Sequence, residues 1–276
     1  MLVSITDITG YMEKIFPPSL AEDWDNVGLQ VGAPCVACRT ILICLTVTES
    51  VVDYAVEAGV DLIIAHHPLI FTPLKSIVFG NMSGRIISKM LTHHISLYVA
   101  HTNADQASGG LNDWLAETLG LQDITMLPKP DHPVDNAGEE NYGCFSYGRI
   151  GMLAQPKKLD QFVGHVKQAL QLEHIRFAGN EARDIEKVAV SCGSGAHLWQ
   201  DALKAGCDVL VTGDVKFHTA VDVEATSMAI VDAGHFGTEA VFTHHLAELL
   251  EKEAKTRNWS LRVIPYSKER DPWKGA

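Results

Sequence analysis

The sequence predicts an α/β protein made of two related α/β lobes with largely parallel sheets that face each other. Three observations favour this class. Short β-branched runs alternate with helical segments of about 10 residues, which is typical of βαβ units. The runs are almost continuously apolar, as expected of strands that are covered on both faces. One strand, together with the polar residues that follow it, also occurs twice along the chain.

The predicted strands are bounded by turn residues and span 40–47, 61–67, 96–101, 146–153, 187–192, 208–213 and 228–235. The segments between them carry the apolar periodicity of amphipathic helices. These predicted helices span 49–59, 83–94, 110–120, 157–171, 197–206 and 238–254. The order of the segments therefore predicts helices that cover both faces of each sheet.

An internal repeat supports two related lobes. The stretch AGVDLIIAHHP (58–68) aligns with AGCDVLVTGDV (205–215), each with a glycine, an aspartate and a buried strand in the same order. Next, YVAHTNAD (98–105) aligns with VDAGHFGTE (231–239), so that a histidine follows each apolar strand with a carboxylate four residues later. We expect the two lobes to be related by a pseudo-two-fold axis; the alternative is a chance similarity between two βα units.

The repeat also sets the predicted domain boundaries. The first lobe is expected to span 1–125 and the second 126–276, together forming one compact unit. Residues 126–185 break the βα rhythm and are predicted to be a connecting segment within the second lobe. It begins with a polar loop over 129–143 and continues into a strand and a helix.

Composition and charge exclude several classes of function. The chain has 276 residues, 46% of them hydrophobic and 20% charged, as in a globular protein with a sizeable core. A net charge of -12 argues against binding to nucleic acid or to an anionic membrane. No apolar run approaches the roughly 20 residues of a membrane helix, and the first residues lack the features of a signal peptide. We therefore expect a cytoplasmic protein.

The cysteines are consistent with that compartment. The chain has 6 cysteines, mostly in strand-like stretches, which favours reduced thiols over a disulfide framework. Cys35 and Cys38 form a single C-x-x-C, which is a weak indication of zinc or redox chemistry in the absence of a second pair.

Side chains able to bind metal collect at the carboxyl ends of the predicted strands, where open parallel sheets place their ligands. They are His66, His67, His101, Asp105, Asp214, His235 and Glu239. Imidazole and carboxylate are the usual ligands of transition metals. Residues four apart on a helix share one face, so the two H-x-x-x-[D/E] units can each present both side chains to one region. The pattern therefore predicts a metal site.

The adjacent histidines suggest that two ions are bound. Neighbouring residues of a strand point to opposite sides, so His66 and His67 converge poorly on one ion but can each serve a different one. Glu239 is the candidate carboxylate to bridge the ions, with Asp105 and His235 each completing one site. Two ions can share an activated water. Spacing alone leaves a mononuclear site open.

The other histidine pairs, His93–His94 and His244–His245, lie within or at the end of helical patterns and are predicted to be structural.

Two further stretches can be interpreted as either functional or purely structural. DWDNVGLQVG (23–32) could line a pocket, but a tight turn with Gly28 or Gly32 at positive φ and Trp24 packed against a lobe is favoured. SCGSGAH (191–197) could cradle a phosphate, although a simple βα turn is favoured.

At these residues the sequence resembles the dinuclear-metal-centre family of GTP cyclohydrolase 1 type 2 homologues. The matching motifs are WDNVGL (24–29), AHHPLIF (65–71), PLK (73–75), HTNAD (101–105), GGLND (109–113), YGRIG (147–151), GDVKFH (213–218) and DAGHFGTE (232–239). They follow the family's order from residue 24 to residue 239 and so cover most of the chain. The short interval 126–185 places the chain among the members without the inserted mid-chain domain.

The resemblance implies a pair of divalent ions between two α/β lobes, in subunits that assemble as a toroidal homohexamer. Carried over by motif, the implied ligands are His66, His67, Asp105, His235 and a bridging Glu239, which is also the set reached from spacing. His101 would lie beside the centre as a supporting residue or proton donor. The mixed ligand set suits zinc, iron, manganese and cobalt alike.

The favoured function is metal-dependent hydrolysis of a small, nucleotide-like substrate, with opening of the purine ring of GTP as the version that the resemblance implies. His101 or Asp214 would move protons, and Arg149 or Lys216 could pair with a triphosphate. Alternatives are a metal-dependent phosphoesterase and a non-catalytic metal- or ligand-binding protein that assists assembly, for example of a metallocofactor. The acidic balance disfavours a DNA-binding regulator.

Overall fold

The computed structural model describes residues 3–128 and 147–274, and the polar loop predicted over 129–143 lies outside them. In chain order the helices are α1 (Ile5–Ile15), α2 (Glu49–Glu57), α3 (Met82–Thr92), α4 (Thr102–Gln106), α5 (Leu111–Thr118), α6 (Leu159–Ala169), α7 (Trp199–Lys204), α8 (Phe217–Glu224), α9 (His235–Glu239) and α10 (Val241–Arg257). The strands are β1 (Val3–Ser4), β2 (Gly28–Val31), β3 (Ala37–Cys38), β4 (Thr40–Cys44), β5 (Leu62–Ala65), β6 (Ser96–Val99), β7 (Gln122–Met126), β8 (Arg149–Lys158), β9 (Arg176–Ala178), β10 (Asp184–Val190), β11 (Val209–Thr212), β12 (Ala229–Asp232) and β13 (Arg262–Pro265).

The chain divides into two units, and the division differs from the predicted boundary at residue 125. Unit 1 comprises Met1–Ala107 and Phe242–Glu269, and unit 2 comprises Ser108–Val241 and Arg270–Ala276. The reason lies in strand pairing, which sequence periodicity does not reveal. Strand β7 pairs with β8 and so belongs to unit 2, whereas β13 pairs with β4 and returns the end of the chain to unit 1.

Unit 1 is built on a five-stranded sheet in the order β13-β4-β5-β6-β2. The first four strands are parallel and β2 runs antiparallel to β6. Every residue of β4, β5 and β6 is buried, as expected of strands that are covered on both faces. Val51 of α2 and Ile87 of α3 pack into the same apolar core as Ile63 of β5.

Unit 2 has a six-stranded sheet in the order β7-β8-β10-β11-β12-β9. The central strands β10, β11 and β12 are parallel, while β7, β8 and β9 are joined by antiparallel pairings. The α/β class is confirmed, and unit 2 is more mixed than the largely parallel sheet that was predicted. Strands β8 and β9 lie in the region where the βα rhythm breaks, and β7 directly precedes it, so the irregular pattern had a structural basis.

The internal repeat corresponds to matching hydrogen bonds in the two units. Asp61 precedes β5, and its Oδ2 accepts from the amides of Arg39 and Thr40 at 2.7 and 2.9 Å. Asp208 precedes β11, and its Oδ2 accepts from the amides of Glu186 and Lys187 at 3.0 and 2.9 Å. Each aspartate thus binds two amides of the neighbouring strand segment, and this shared geometry shows that the repeat is structural.

The stretch over residues 23–32 is only partly the expected turn. Gly28 and Gly32 both have positive φ, at 95° and 112°. A Cβ on Gly32 would lie 2.1 Å from Ser96 Oγ, so only glycine fits there. However, the unpredicted strand β2 begins in this stretch, and Trp24 is 56% exposed. The expectation that Trp24 packs a lobe was therefore wrong.

The remaining histidine pairs lie in helical surroundings, as expected. His93 caps the C-terminus of α3, and His94 follows it with φ 57°, which ends the helix. His244 and His245 lie within α10.

Over residues 3–128 and 147–274, no helix has the length and apolar character needed to cross a membrane. Cys35 and Cys38 are both free thiols, and Cys38 is buried. Burial raises the pKa of Cys38 to about 12, which disfavours the thiolate that metal binding and redox exchange require.

Candidate metal centre

Three imidazoles of unit 1 converge where two neighbouring parallel strands end. His66 and His67 follow β5, and His101 follows β6. One ring nitrogen of each histidine lies within 4.8 Å of those of the other two. His66 is fully buried, and His67 and His101 are half-buried. We call these three residues the imidazole cluster.

Each member of the imidazole cluster is held through its Nδ1. His66 Nδ1 lies 2.9 Å from the Ala100 carbonyl oxygen, and His67 Nδ1 lies 2.8 Å from Thr46 Oγ1. His101 Nδ1 lies 2.9 Å from Asp25 Oδ1. A carbonyl or an ionised carboxylate can only accept, so Nδ1 of His66 and of His101 carries the hydrogen. In the neutral ring the lone pair is then on Nε2, which is the usual state of a metal-binding histidine.

Asp25 is a site residue that sequence reasoning missed. Besides His101, its carboxylate accepts from the Thr102 amide at 3.1 Å and from the Thr102 hydroxyl at 2.5 Å. Burial alone would raise the pKa of Asp25, but the hydrogen bonds from His101 and Thr102 outweigh it and lower the pKa to about 2. The stretch DWDNVGLQVG was expected to line a pocket or form a turn, but nothing in it shows which distant residue Asp25 binds.

Asp105 lies close to the imidazole cluster within the same unit. It sits on α4, four residues after His101, and is 8% exposed. Its Oδ1 is 3.6 Å from His66 Nε2. The H-x-x-x-D spacing thus places both side chains of the first repeat next to His66, with the carboxylate facing the nitrogen that carries the lone pair.

Unit 2 presents the second H-x-x-x-[D/E] unit on the short helix α9. His235 Nε2 lies 3.1 Å from Glu239 Oε1, and His235 Nδ1 lies 2.8 Å from Asp214 Oδ2. Glu239 is 3% exposed. The hydrogen bond to Glu239 raises the pKa of His235 to about 9, against the opposing effect of burial and with a further contribution from Asp214. Asp214 was predicted to move protons. In the structure its carboxylate is hydrogen-bonded to His235 Nδ1 and so orients that ring.

A glycine turn lets the backbone approach Glu239 closely. Gly193 has φ +57°, and a Cβ there would lie 2.5 Å from Glu239 Oε1. In the same turn the amides of Cys192, Gly193 and Gly195 donate to side-chain oxygens of Asn112, Thr238 and Thr212. Because these amides are already bound within the protein, they do not cradle a phosphate. The favoured interpretation of SCGSGAH as a structural turn agrees with this geometry.

Arg149 is not available to a triphosphate, so that suggestion was wrong. The residue is 1% exposed, and its Nε and Nη2 donate to the two carboxylate oxygens of Asp113 at 2.8 and 2.9 Å. A buried guanidinium in a two-point contact with a carboxylate is a structural ion pair. Lys216, the other residue suggested, is exposed.

The two sets of donor atoms suit a divalent transition metal. Unit 1 offers imidazole nitrogens next to a carboxylate, and unit 2 offers an imidazole next to a buried carboxylate. Ligands bound to one ion at about 2.0–2.2 Å lie about 3.3–3.6 Å apart when the angle between them is tetrahedral. The distances of 3.6 Å from His66 to Asp105 and of 3.1 Å from His235 to Glu239 are close to that separation.

Comparison with known proteins identifies the family of the chain. A sequence model of the Duf34/NIF3 (NGG1p interacting factor 3) family matches residues 3–272. A Clostridium acetobutylicum protein called GTP cyclohydrolase 1 type 2 homolog is 32% identical over 274 residues and covers 99% of each chain. A Clostridium perfringens protein of the same name is 34% identical over 271 residues, which is 98% of this chain and 99% of the relative.

One solved structure shares the fold of the chain, and one longer relative shows a difference in length. The crystal structure of a Bacillus cereus protein related to NIF3 aligns with a TM-score of 0.91 at 30% identity, over 100% of this chain and 99% of the other. A Listeria innocua relative aligns over 364 positions while covering 97% of each sequence, so it carries residues that this 276-residue chain lacks. The chain belongs to the Duf34/NIF3 family, whose curated relatives include proteins called GTP cyclohydrolase 1 type 2 homolog, and it is one of the short members.

Proposed function

We propose that this protein is a metal-dependent hydrolase that acts on a nucleotide-like substrate. The observation that carries the proposal is the imidazole cluster, in which three ring nitrogens lie within 4.8 Å of one another. In metal-binding histidines, the ring nitrogen that does not bind the metal is usually hydrogen-bonded to an oxygen atom. A purely structural role would not explain three adjacent imidazoles with a carboxylate 3.6 Å from one of them.

The proposal assigns two divalent ions to five ligands, His66, His67, Asp105, His235 and Glu239. Bound divalent ions lower the pKa of water and stabilise negative charge that develops during hydrolysis. The low exposure of Glu239 supports its role as the bridging ligand, since a buried carboxylate needs positive charge nearby. The outer hydrogen bonds of His66 and His235 would keep their rings in the orientation that binding requires.

His101 is proposed to hold and move a proton at its Nε2. Its Nδ1 hydrogen is donated to Asp25, whose pKa of about 2 keeps it ionised. A carboxylate in that position fixes the tautomer and stabilises the imidazolium that forms when Nε2 takes up a proton. Asp214 is assigned the different task of orienting His235, to which it is hydrogen-bonded at 2.8 Å.

The names of the relatives suggest the substrate class. Two relatives at 32% and 34% identity are called GTP cyclohydrolase 1 type 2 homolog, so opening of the purine ring of GTP is the first reaction to examine. The resemblance also implies self-association, and we include a toroidal homohexamer in the proposal. Its test is the mass of the purified protein by light scattering, where a monomer or a dimer would contradict the hexamer.

The hydrolase proposal is tested by loading the purified protein with each candidate metal and incubating it with GTP and with a panel of phosphoesters. We expect formate and a ring-opened product from GTP. Both should be lost in Glu239→Ala and kept in His93→Ala, a control at the end of α3. Release of phosphate from esters without formate would indicate a phosphoesterase. Retained metal without turnover of any substrate would indicate a non-catalytic metal-binding protein.

A further inference from the structure

Two large aromatic side chains are exposed beside the imidazole cluster. Trp24 is 56% exposed and Phe71 is 51% exposed. Their ring centroids are 5.8 Å apart, and the Trp24 ring lies 6.2 Å from that of His101. Trp24 and Phe71 are tilted by 54° rather than stacked face to face, so neither ring covers the face of the other. We call this pair the aromatic platform.

The platform is fixed by hydrogen bonds from the segment that carries Trp24. The Asn26 side-chain amide donates to the Ile70 carbonyl at 2.5 Å. The Gln30 side chain donates to the same carbonyl at 3.2 Å and accepts from the Ile70 amide at 2.9 Å. Because Ile70 immediately precedes Phe71, these contacts hold Phe71 next to the Trp24 segment.

The position of Trp24 is also tied to the imidazole cluster. The next residue, Asp25, binds His101 and Thr102 through both of its carboxylate oxygens. Asp25 also accepts from the Asn26 amide at 2.8 Å. The backbone next to each ring is thus held in place, while much of the apolar surface of both rings faces water. Exposed apolar surface of this kind at a fixed geometry is typical of a ligand-binding site.

We propose that the aromatic platform binds a planar heteroaromatic ring, namely the base of the nucleotide-like substrate. This inference rests on the proposed function and specifies the part of the substrate that lies nearest His101. Ring faces suit it because every nucleobase has a π face that stacks on aromatic side chains. The distance of 6.2 Å from Trp24 to His101 would bring a stacked base next to the proposed proton carrier.

Calorimetric titration with guanosine, which has no phosphate to bind metal, tests this inference in metal-free and in metal-loaded protein. Inorganic triphosphate serves as the probe without a base. We expect Trp24→Leu and Phe71→Leu to weaken guanosine binding by about 5- to 100-fold and to leave triphosphate binding unchanged. Trp24→Phe should keep most of the affinity, since it retains an aromatic face. Phe79→Leu is the matched control, because Phe79 is 75% exposed and belongs to the same unit.

Each outcome has a separate meaning. Absence of guanosine binding by the wild type, or equal binding by Trp24→Leu and the wild type, would overturn the platform even if GTP is turned over. Guanosine binding that depends on Trp24 without any turnover would support the platform and refute the hydrolase. If the two leucine variants instead change the mass measured by light scattering, the rings form a self-association surface and the inference is wrong.

Discussion

Asp25 Oδ1 lies 2.9 Å from His101 Nδ1, although the two residues are 76 positions apart in the chain. Burial raises the pKa of Asp25, but the hydrogen bonds from His101 and Thr102 outweigh that effect and bring the pKa to about 2. The carboxylate is therefore ionised at neutral pH and fixes the hydrogen of His101 on Nδ1. This contact links the WDNVGL motif to the imidazole cluster.

The first prediction concerns the substitution Asp25→Asn. We expect turnover to fall by about 100- to 10,000-fold, because the amide can hold His101 in the wrong tautomer and no longer stabilises its protonated form. Metal content should stay at the wild-type level, since Asp25 is not a proposed ligand. Steady-state kinetics together with elemental analysis measure both quantities.

Asp23→Asn is the control for this prediction, because Asp23 is an exposed aspartate in the same stretch. It should behave as the wild type in both assays. Wild-type turnover in Asp25→Asn would contradict the role given to Asp25. Loss of metal in that variant would instead assign His101 to the ligands.

The second prediction is a pH dependence of stability. The pKa of Asp25 in the folded protein is about 2, below its ordinary value of 3.8. The carboxylate therefore contributes stability that is fully present above about pH 4 and is lost as the pH falls through about 2. We expect the difference in unfolding free energy between wild type and Asp25→Asn to shrink as urea titrations move from about pH 6 to about pH 3. A difference that is constant over this range would refute the assignment.

The third prediction concerns the close approach of Gly193 to Glu239. In Gly193→Ala the new methyl group would lie 2.5 Å from Glu239 Oε1 and displace the carboxylate. We expect metal affinity to fall by about 10- to 100-fold, as for other changes that disturb the surroundings of a ligand. Titration with a competing chelator measures this affinity.

Gly206→Ala is the control that distinguishes displacement of the Glu239 carboxylate from backbone strain. Gly206 also has a positive φ, +74°, but a Cβ there meets nothing within 4 Å. Both variants should lose stability through strain, whereas only Gly193→Ala should lose metal affinity. Equal affinities in the two variants would show that Glu239 tolerates the methyl group or does not bind metal.

The fourth prediction concerns the buried ion pair of unit 2. Arg149→Ala removes a guanidinium that is 1% exposed and leaves the Asp113 carboxylate without its two-point contact. The unfolding free energy should fall by about 3–5 kcal/mol. The exposed pair Arg85–Glu49 provides the control, and Arg85→Ala should cost less than about 1 kcal/mol. Similar losses in the two variants, measured by urea unfolding, would refute a structural role for Arg149.

Much of the fold could be predicted from local pattern. The central strands were visible because β4, β5, β6, β11 and β12 are mostly apolar, and every residue in them is buried. Strand β13 was missed because it depends on the parallel pairing of Arg262–Pro265 with Thr40–Ile43, a segment that is distant in sequence. The same pairing returns the end of the chain to unit 1, and the pairing of β7 with β8 places β7 in unit 2.

The site could be predicted where side chains that bind metal follow strands that lie next to each other. His66, His67 and His101 follow strands that are adjacent and parallel, so the sheet itself brings them together. Asp25 could not be assigned, because its partner is fixed only by tertiary folding. The role of Gly193 was equally hidden, since a glycine in a turn does not reveal that a carboxylate lies beside it.

The most direct test of the central claim is the number of divalent ions bound per chain, measured by native mass spectrometry with elemental analysis. We predict two ions in the wild type, fewer in His67→Ala and in Glu239→Ala, and two in His93→Ala. A wild-type protein that binds no ion when saturated with zinc, iron, manganese or cobalt, or the same two ions in all three variants, would contradict the proposed metal centre.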